Sequence, residues 1–451
     1  MMKQTFLHGA LGMSLMLGMA LVTSAQLSLS MEQAQALGVQ HAYDMQRARI
    51  DVEVAKRDVK ELLATGLPQV NASVDLNHFF DLPVSVVSSR AFNPMADPGS
   101  VNDSLTFGTT QSATAGLQAT QLIFSGSYLV GVRAAKVLAD AKALSVESTE
   151  LETRKAVADA YATALAAQAN VATLEKAVVL IAGTEEELRA LAQEGLVEGV
   201  DADQMQLSRQ NVQQQLNTAR LQADLTKKLL LFQCGFDVNK GVELTDNLID
   251  LTKESVPPSL LGGIDLALNP RLEEQRQYVA LAELDVMNKR AEGLPQVAAF
   301  FSRNAQAFRD PELPILKEQA KWYPNQMVGL SINMPIWTSF GGRQRVEKAK
   351  LAVLTAESGL AQMESAARLE FDNAKASFLD AQAALGNAEE QRDLASRILT
   401  RIELGHKEGV RSSFELNTAQ NQLLEAEGNL IGAQLAWLNA QQRLVASNPQ
   451  L

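Results

Sequence analysis

Apolar residues recur along this chain with two periods, and each period occurs twice. Over residues 69–80, Val70, Ala72, Val74 and Leu76 alternate with Asn71, Ser73, Asp75 and Asn77. Over 112–124, Ala113, Ala115, Leu117 and Ala119 interleave with Ser112, Thr114, Gly116, Gln118 and Thr120, and the run exits at Ile123-Phe124-Ser125-Gly126. A period of two predicts strands with one apolar and one polar face. The second half does the same at about 296–307 (Val297, Ala299, Phe301). It does so again at about 325–337, where Val328, Leu330, Ile332, Met334 and Ile336 alternate with Met327, Gly329, Ser331 and Asn333, ending at Trp337 and Gly341-Gly342. Residues 82–111 are rich in Pro, Ser, Asn, Asp and Gly without a period and read as a surface loop, as do residues 309–324.

A seven-residue period follows each strand pair. Positions 130, 137, 144, 151, 158, 165, 172 and 179 are Val, Val, Leu, Leu, Ala, Leu, Ala and Val. Positions 353, 360, 367, 374, 381, 388, 395 and 402 are Val, Leu, five Ala and Ile. That period predicts coiled-coil packing, and the Ala steps predict closely spaced helices. Long helices are expected over about 126–193 and about 342–407. Proline is absent from 126–193 and from 342–404, so each could run roughly 100 Å. Return helices are expected over about 201–233 and 413–446.

The duplication is written in the letters as well. Gly66-Leu67-Pro68-Gln69-Val70 recurs as Gly293-Leu294-Pro295-Gln296-Val297, and both copies read as helix-to-strand switches. Glu194-Gly195 matches Glu408-Gly409 in the register that also relates Ala135-Lys136 to Ala349-Lys350. The expected organisation is a signal peptide at 1–25, a first structural repeat at 26–234, an irregular connector at 235–268 and a second repeat at 269–451. A charged helical segment at about 30–65 precedes the first strand. The fold class is mainly α with a small β portion: long antiparallel helical hairpins plus four strands per chain.

Composition narrows the chemistry. A net charge of −12 and a pI near 5.0 argue against nucleic acid as a partner. Lys3, the apolar run from Leu11 to Val22 and Thr23-Ser24-Ala25 read as a secretory signal. No apolar run after it is long enough for a transmembrane helix, so entry into a membrane requires a closed β-barrel. Cys234 is the only cysteine, and His8, His41, His78 and His406 are scattered, so neither a disulfide nor a metal site is expected. No phosphate loop, His-Glu-x-x-His or catalytic constellation is present, so neither a cofactor nor an enzymatic activity is expected.

Four strands are too few to close a membrane barrel, and open edges in lipid leave backbone groups unpaired. Copies of the chain must therefore combine: three copies give twelve strands, while two give eight, which close geometrically but leave little room for a pore. The polar faces would then line water. Phe79, Phe80, Phe124 and Trp337 would lie at the membrane interface.

The duplicated order of strand, loop, strand and long helix resembles the TolC-type outer-membrane efflux protein family. So do the Leu-Pro before each first strand and the tips Gly195-Leu196-Val197 and Gly409-Val410-Arg411. The resemblance runs almost end to end. It implies a homotrimer with a 12-stranded β-barrel in the outer membrane and an α-helical tunnel through the periplasm. It also implies a passive conduit for small molecules such as drugs, served by an inner-membrane transporter and a periplasmic adaptor. The outer channel of a type I protein secretion system is an alternative in the same fold. A periplasmic coiled-coil scaffold without a pore is the alternative of another class.

The family's pattern assigns site residues at the tips. Arg411 and Glu415 match its Arg and acid at the second tip, and Asp201 matches the acid that can pair with the Arg to hold the tunnel closed. Thr418 stands where a second acid is common, and His406 where the lock uses Tyr. On physical grounds, copies of Glu415 around an axis would repel, raise their own pKa values and attract cations. Gly195, Leu196, Val197, Gly409 and Val410 are the expected adaptor-docking surface.

Overall fold

The computed structural model describes residues 27–87, 89, 94, 95, 97, 103–106, 108–253, 256–309 and 321–448. The expected signal at 1–25 lies outside them, as do residues 88, 90–93, 96, 98–102 and 107 of the first expected loop and 310–320 of the second. In order the elements are β1 (Leu27–Leu29), α1 (Met31–His41), α2 (Tyr43–Thr65), β2 (Gln69–His78), β3 (Val84–Val87), β4 (Asp103–Thr106), β5 (Gln111–Phe124), α3 (Gly126–Gln193), α4 (Gly199–Gln233), β6 (Val242–Leu244), α5 (Leu248–Thr252), α6 (Pro270–Ala291), β7 (Gln296–Arg309), β8 (Trp322–Asn333), α7 (Gly341–Lys407) and α8 (Ser413–Ser447). Both copies of Gly-Leu-Pro-Gln-Val lie at helix-to-strand switches, α2 to β2 and α6 to β7.

Two compact units emerge, and each draws on both halves of the sequence. Among the described residues, one comprises those within 27–43, 152–261 and 373–446; the other comprises those within 44–151, 262–372 and 447–448.

The first unit is a set of packed helices. Leu174, Ile181 and Leu188 of α3 pack with Met205, Val212, Leu216 and Ala219 of α4. On α7, Ala374, Ala381, Ala388 and Ala395 are buried at every seventh position. The seven-residue series of α3 behaves differently. It is buried at Ala158 and Leu165, but Ala172 and Val179 are exposed and the seam passes to 174, 181 and 188. An α-helix drifts about 20° per heptad against a strict seven-residue repeat, so one stripe cannot face the same way along so long a helix. α3 also holds an 18-residue window of mean hydropathy 1.3, long and apolar enough to cross a membrane by length and composition. The sequence reading expected no such helix. About 28 % of that window is buried.

The sequence predicts one helix over 30–65, but it breaks at Ala42, which is extended with φ −55° and ψ 141°. Ser30 and Gln33 form a reciprocal cap at the start of α1. β1 pairs in parallel with β6, and the buried Tyr161 hydroxyl donates to the Leu29 carbonyl at 2.9 Å. Burial pushes the Cys234 thiol up to about 11, so it stays protonated and unreactive. Beside it Gly235 has φ 76°, and an added Cβ would lie 2.1 Å from the His41 carbonyl oxygen. Gly235→Ala therefore lowers stability by more than about 2 kcal/mol, through left-handed strain plus overlap with backbone. Thermal unfolding of the variant checks this; an unchanged midpoint contradicts it.

The second unit is built on one antiparallel sheet of order β2-β5-β7-β8. Its register runs from Gln69↔Thr120 to His78↔Gln111, from Gln111↔Arg309 to Phe124↔Val297 with a bulge between Leu122 and Phe124, and from Gln296↔Asn333 to Ala307↔Trp322. The segment expected to be irregular contains a short ribbon, β3 paired with β4 from Val84↔Thr106 to Val87↔Asp103.

Candidate functional site: the hairpin tips and the sheet faces

Both tips are made the same way. α3 ends with Leu196 N–H donating to the Leu191 carbonyl at 2.9 Å and Gly195 N–H to Ala192 at 3.1 Å. α7 ends with Val410 N–H to Gly405 at 2.9 Å and Gly409 N–H to His406 at 2.9 Å. Gly195 and Gly409 both have φ 75°. These are paired helix-terminating motifs, and the left-handed residue they require explains glycine at each.

The first tip presents Leu196, 68 % exposed. Val197 instead packs against the α3–α4 core. Asp201 lies in the first turn of α4, where its charge suits the helix N-terminus.

The second tip gathers Arg411, Glu415 and His406. Arg411 Nη1 donates to Glu415 Oε1 at 2.7 Å. Ser412 N–H donates to Glu415 Oε2 at 2.9 Å, and Glu415 N–H donates back to Ser412 Oγ at 3.2 Å. This reciprocal pair caps α8. The Ser412 N–H first, and then Arg411, hold the Glu415 carboxyl below its ordinary value of 4.5. Within one protomer the direction is thus opposite to the rise expected from carboxylate repulsion. His406 Nδ1 lies 3.0 Å from the Arg411 carbonyl oxygen. The Thr418 hydroxyl donates to the Phe414 carbonyl at 2.8 Å. Among the described residues no ion pair within the chain joins Arg411 to Asp201; Arg411 pairs with Glu415.

Val410 is 73 % exposed and Phe414 is 68 % exposed. The sequence reading passed over Phe414. Its signal was an aromatic at the second position of α8, between the capping residues, where no helix partner can cover it. Ser412→Ala removes one arm of the cap and lowers stability by about 1 kcal/mol. A thermal melt of the full-length variant measures this; no shift would show the cap to be energetically idle.

Above this tip a buried glutamate joins two helices. Glu185 accepts from Arg189 at 2.6 Å and from Arg209 at 2.5 Å. Gln420 donates to Thr184 at 3.1 Å, and Ser208 to Asn417 at 3.2 Å, linking α8 to α3 and α4. Such polar pairs fix the register of packed helices.

In the other unit the register sorts the four strands into two faces. Val70, Ala119, Phe301 and Val328 share one row, and Val74, Ala115, Ala305 and Pro324 share another on the same face. The opposite face carries Ser73, Gly116, Asn304 and Asn325 in one row and Asp75, Thr114, Gln306 and Tyr323 in another. Arg303 and Gln326 are paired on the apolar face and interrupt it. Every residue of β2 and nearly all of β8, the two edge strands, are exposed. Phe79 and Phe80 follow the end of β2, while Phe124 ends β5 and Trp337 follows β8 at the other end of the sheet; all four are exposed.

The family model for outer membrane efflux protein matches residues 34–231 and 264–447. The chain belongs to that family. Its fold is also that of solved channels at low identity. VceC, an outer membrane protein of Vibrio cholerae, is 18 % identical over 92 % of this chain and 95 % of its own, with a TM-score of 0.68. The Campylobacter jejuni CmeC outer membrane channel is 17 % identical over 92 % and 85 %, at 0.69. The Neisseria gonorrhoeae MtrE outer membrane channel, in an open state, is 16 % identical over 92 % and 88 %, at 0.68. No curated protein matches the sequence. In this outer membrane efflux protein, the two-faced sheet is the candidate membrane element and the tips are the candidate gate and docking surface.

Proposed function

We propose that three copies form a 12-stranded outer-membrane barrel continued by a periplasmic α-helical tunnel. The trimer is a passive conduit for small molecules. An inner-membrane transporter loads it through a periplasmic adaptor seated on Leu196 and Val410. Arg411, Asp201 and His406 form the latch at the lower end, with Glu415 and Thr418 at the constriction.

One observation carries this reading: a four-stranded sheet with one apolar and one polar face, whose edge strands β2 and β8 are exposed on both faces and lack outer partners among the described residues. In lipid such edges are costly, and pairing β8 of one copy with β2 of the next removes them. From Val297 to Ala307 the apolar rows span roughly 25 Å at the usual strand tilt, the height of a barrel's apolar band. The apolar rows then meet lipid and the rows of Ser73 and Asp75 meet water. Arg303 is the exception on the lipid side, and its long stem lets the guanidinium reach toward the headgroups.

Membrane fractionation with semi-native electrophoresis tests the assembly. A heat-dissociable trimer in the outer-membrane fraction is the expected result. A soluble monomer would support a periplasmic scaffold instead.

A further inference from the structure

The start of α7 carries a charge pattern that the conduit does not use. In a chain of net charge −12, Arg343, Arg345, Lys348 and Lys350 occur within eight residues, all exposed. The end of α6 adds Lys289 and Arg290 beside them. Arg345 Nε lies 3.1 Å from Glu292, which also accepts from Lys289 at 2.9 Å. Glu347, held below its usual range by Lys350 first, also feels Arg343 and Arg290. Five of these cations thus surround three acids, Asp285, Glu292 and Glu347, and the exposed Lys348 lies three residues after Arg345 on the same helix.

This pattern is not required by the helix or by the repeat. The first turn of α7 holds no acid, and cations there oppose the helix dipole. At the equivalent positions of the first repeat stand Leu129, Gly131, Ala134 and Lys136.

An apolar knuckle precedes the patch directly. Ile336 is 91 % exposed, Trp337 72 % and Phe340 64 %. The rings of Trp337 and Phe340 meet edge to face, with centroids 5.2 Å apart. Exposed aromatics followed within one turn by clustered cations match the chemistry of a lipid surface: rings at the level of the glycerol backbone, cations among phosphates.

We propose that this collar binds anionic phospholipid headgroups of the membrane leaflet nearest the helices. Trp337 and Phe340 enter the leaflet, and Arg343, Arg345 and Lys348 contact the phosphates. The proposal rests on the reading that the sheet spans the outer membrane.

Trp337 supplies the probe. The chain has three tryptophans, and Trp322→Phe with Trp437→Phe leaves only this one. The full-length trimer is reconstituted into vesicles of phosphatidylcholine mixed with brominated phosphatidylglycerol, or of phosphatidylglycerol mixed with brominated phosphatidylcholine. Quenching should report a preference for phosphatidylglycerol of about fivefold or more. In the same background, R343Q, R345Q and K348Q together should bring that preference close to unity while Trp337 remains quenched by both lipids. Equal quenching by the two lipids before those substitutions, or an unchanged preference after them, overturns the proposal. Channel conductance is recorded on the same samples. Channels without lipid preference sink only the collar, whereas well-folded protein that neither inserts nor conducts sinks the membrane reading beneath it.

Discussion

Arginine at Val328 abolishes insertion of the trimer, whereas lysine at Asn325 leaves it intact. Val328 is 80 % exposed and shares its row with Phe301, Ala119 and Val70. A cation near the middle of a barrel's lipid face costs about 2–4 kcal/mol, and a trimer carries three copies. Asn325 is three residues away on the opposite face, in the row of Asn304, Gly116 and Ser73, where the account puts water. The amount of heat-dissociable trimer in the outer-membrane fraction reads both variants. Wild-type levels of Val328→Arg would reverse or remove the assignment of faces. The native exception gives a companion test, because Arg303→Leu should raise the dissociation temperature of the trimer.

Glutamate at Leu196 or Val410 removes export while trimers persist. Both side chains are exposed at tips whose backbone is already satisfied by the helix-terminating motifs, so the fold does not need them. A charge in an apolar contact centre costs about 2 kcal/mol or more, a loss of roughly 30-fold or greater in partner affinity. Tolerance of exported toxic compounds should fall to that of cells lacking the channel. Val197 is the internal contrast: it packs on the core of α3 and α4, so Val197→Glu lowers thermal stability as well as export. Export retained by both Leu196→Glu and Val410→Glu would move the docking surface elsewhere.

The strand pattern was legible because a two-residue period survives any curvature of the sheet, so Val70 to Leu76 and Val328 to Ile332 could be assigned to one face from the letters. The helix seam was legible only locally. Ala374 to Ala395 keep their seven-residue step, but in α3 the accumulated drift turns Val179 out and Ile181 in. Pairings of high sequence separation left no local signal. The three-residue β1 and β6 depend on Tyr161, and the ribbon of β3 and β4 hides in a segment of loop composition. At the second tip, Ser412 and Glu415 carry the Ser-x-x-Glu spacing of a helix cap. The family pattern drew Glu415 toward the pore, and the local geometry shows that it also holds the end of α8. The two roles are compatible, since a carboxylate kept charged by its cap remains available to cations.

That cap also gives the tip a pH dependence of known sign. The folded-state pKa of Glu415 is lowered, so its contribution is fully present above the ordinary 4.5 and is lost as pH falls through the lowered value. Acidification below that range releases Arg411 and the Ser412 N–H from Glu415 and should lower the thermal midpoint; Glu415→Gln should abolish this part of the pH dependence.

Single-channel conductance of the purified trimer in a planar bilayer, with Arg411→Ala beside the wild type, tests the central claim most directly. Small cation-selective steps are expected from the wild type and larger steps from the variant. Equal steps would keep the pore and remove Arg411 from its gate. No steps from well-folded trimers of either protein would contradict the conduit itself.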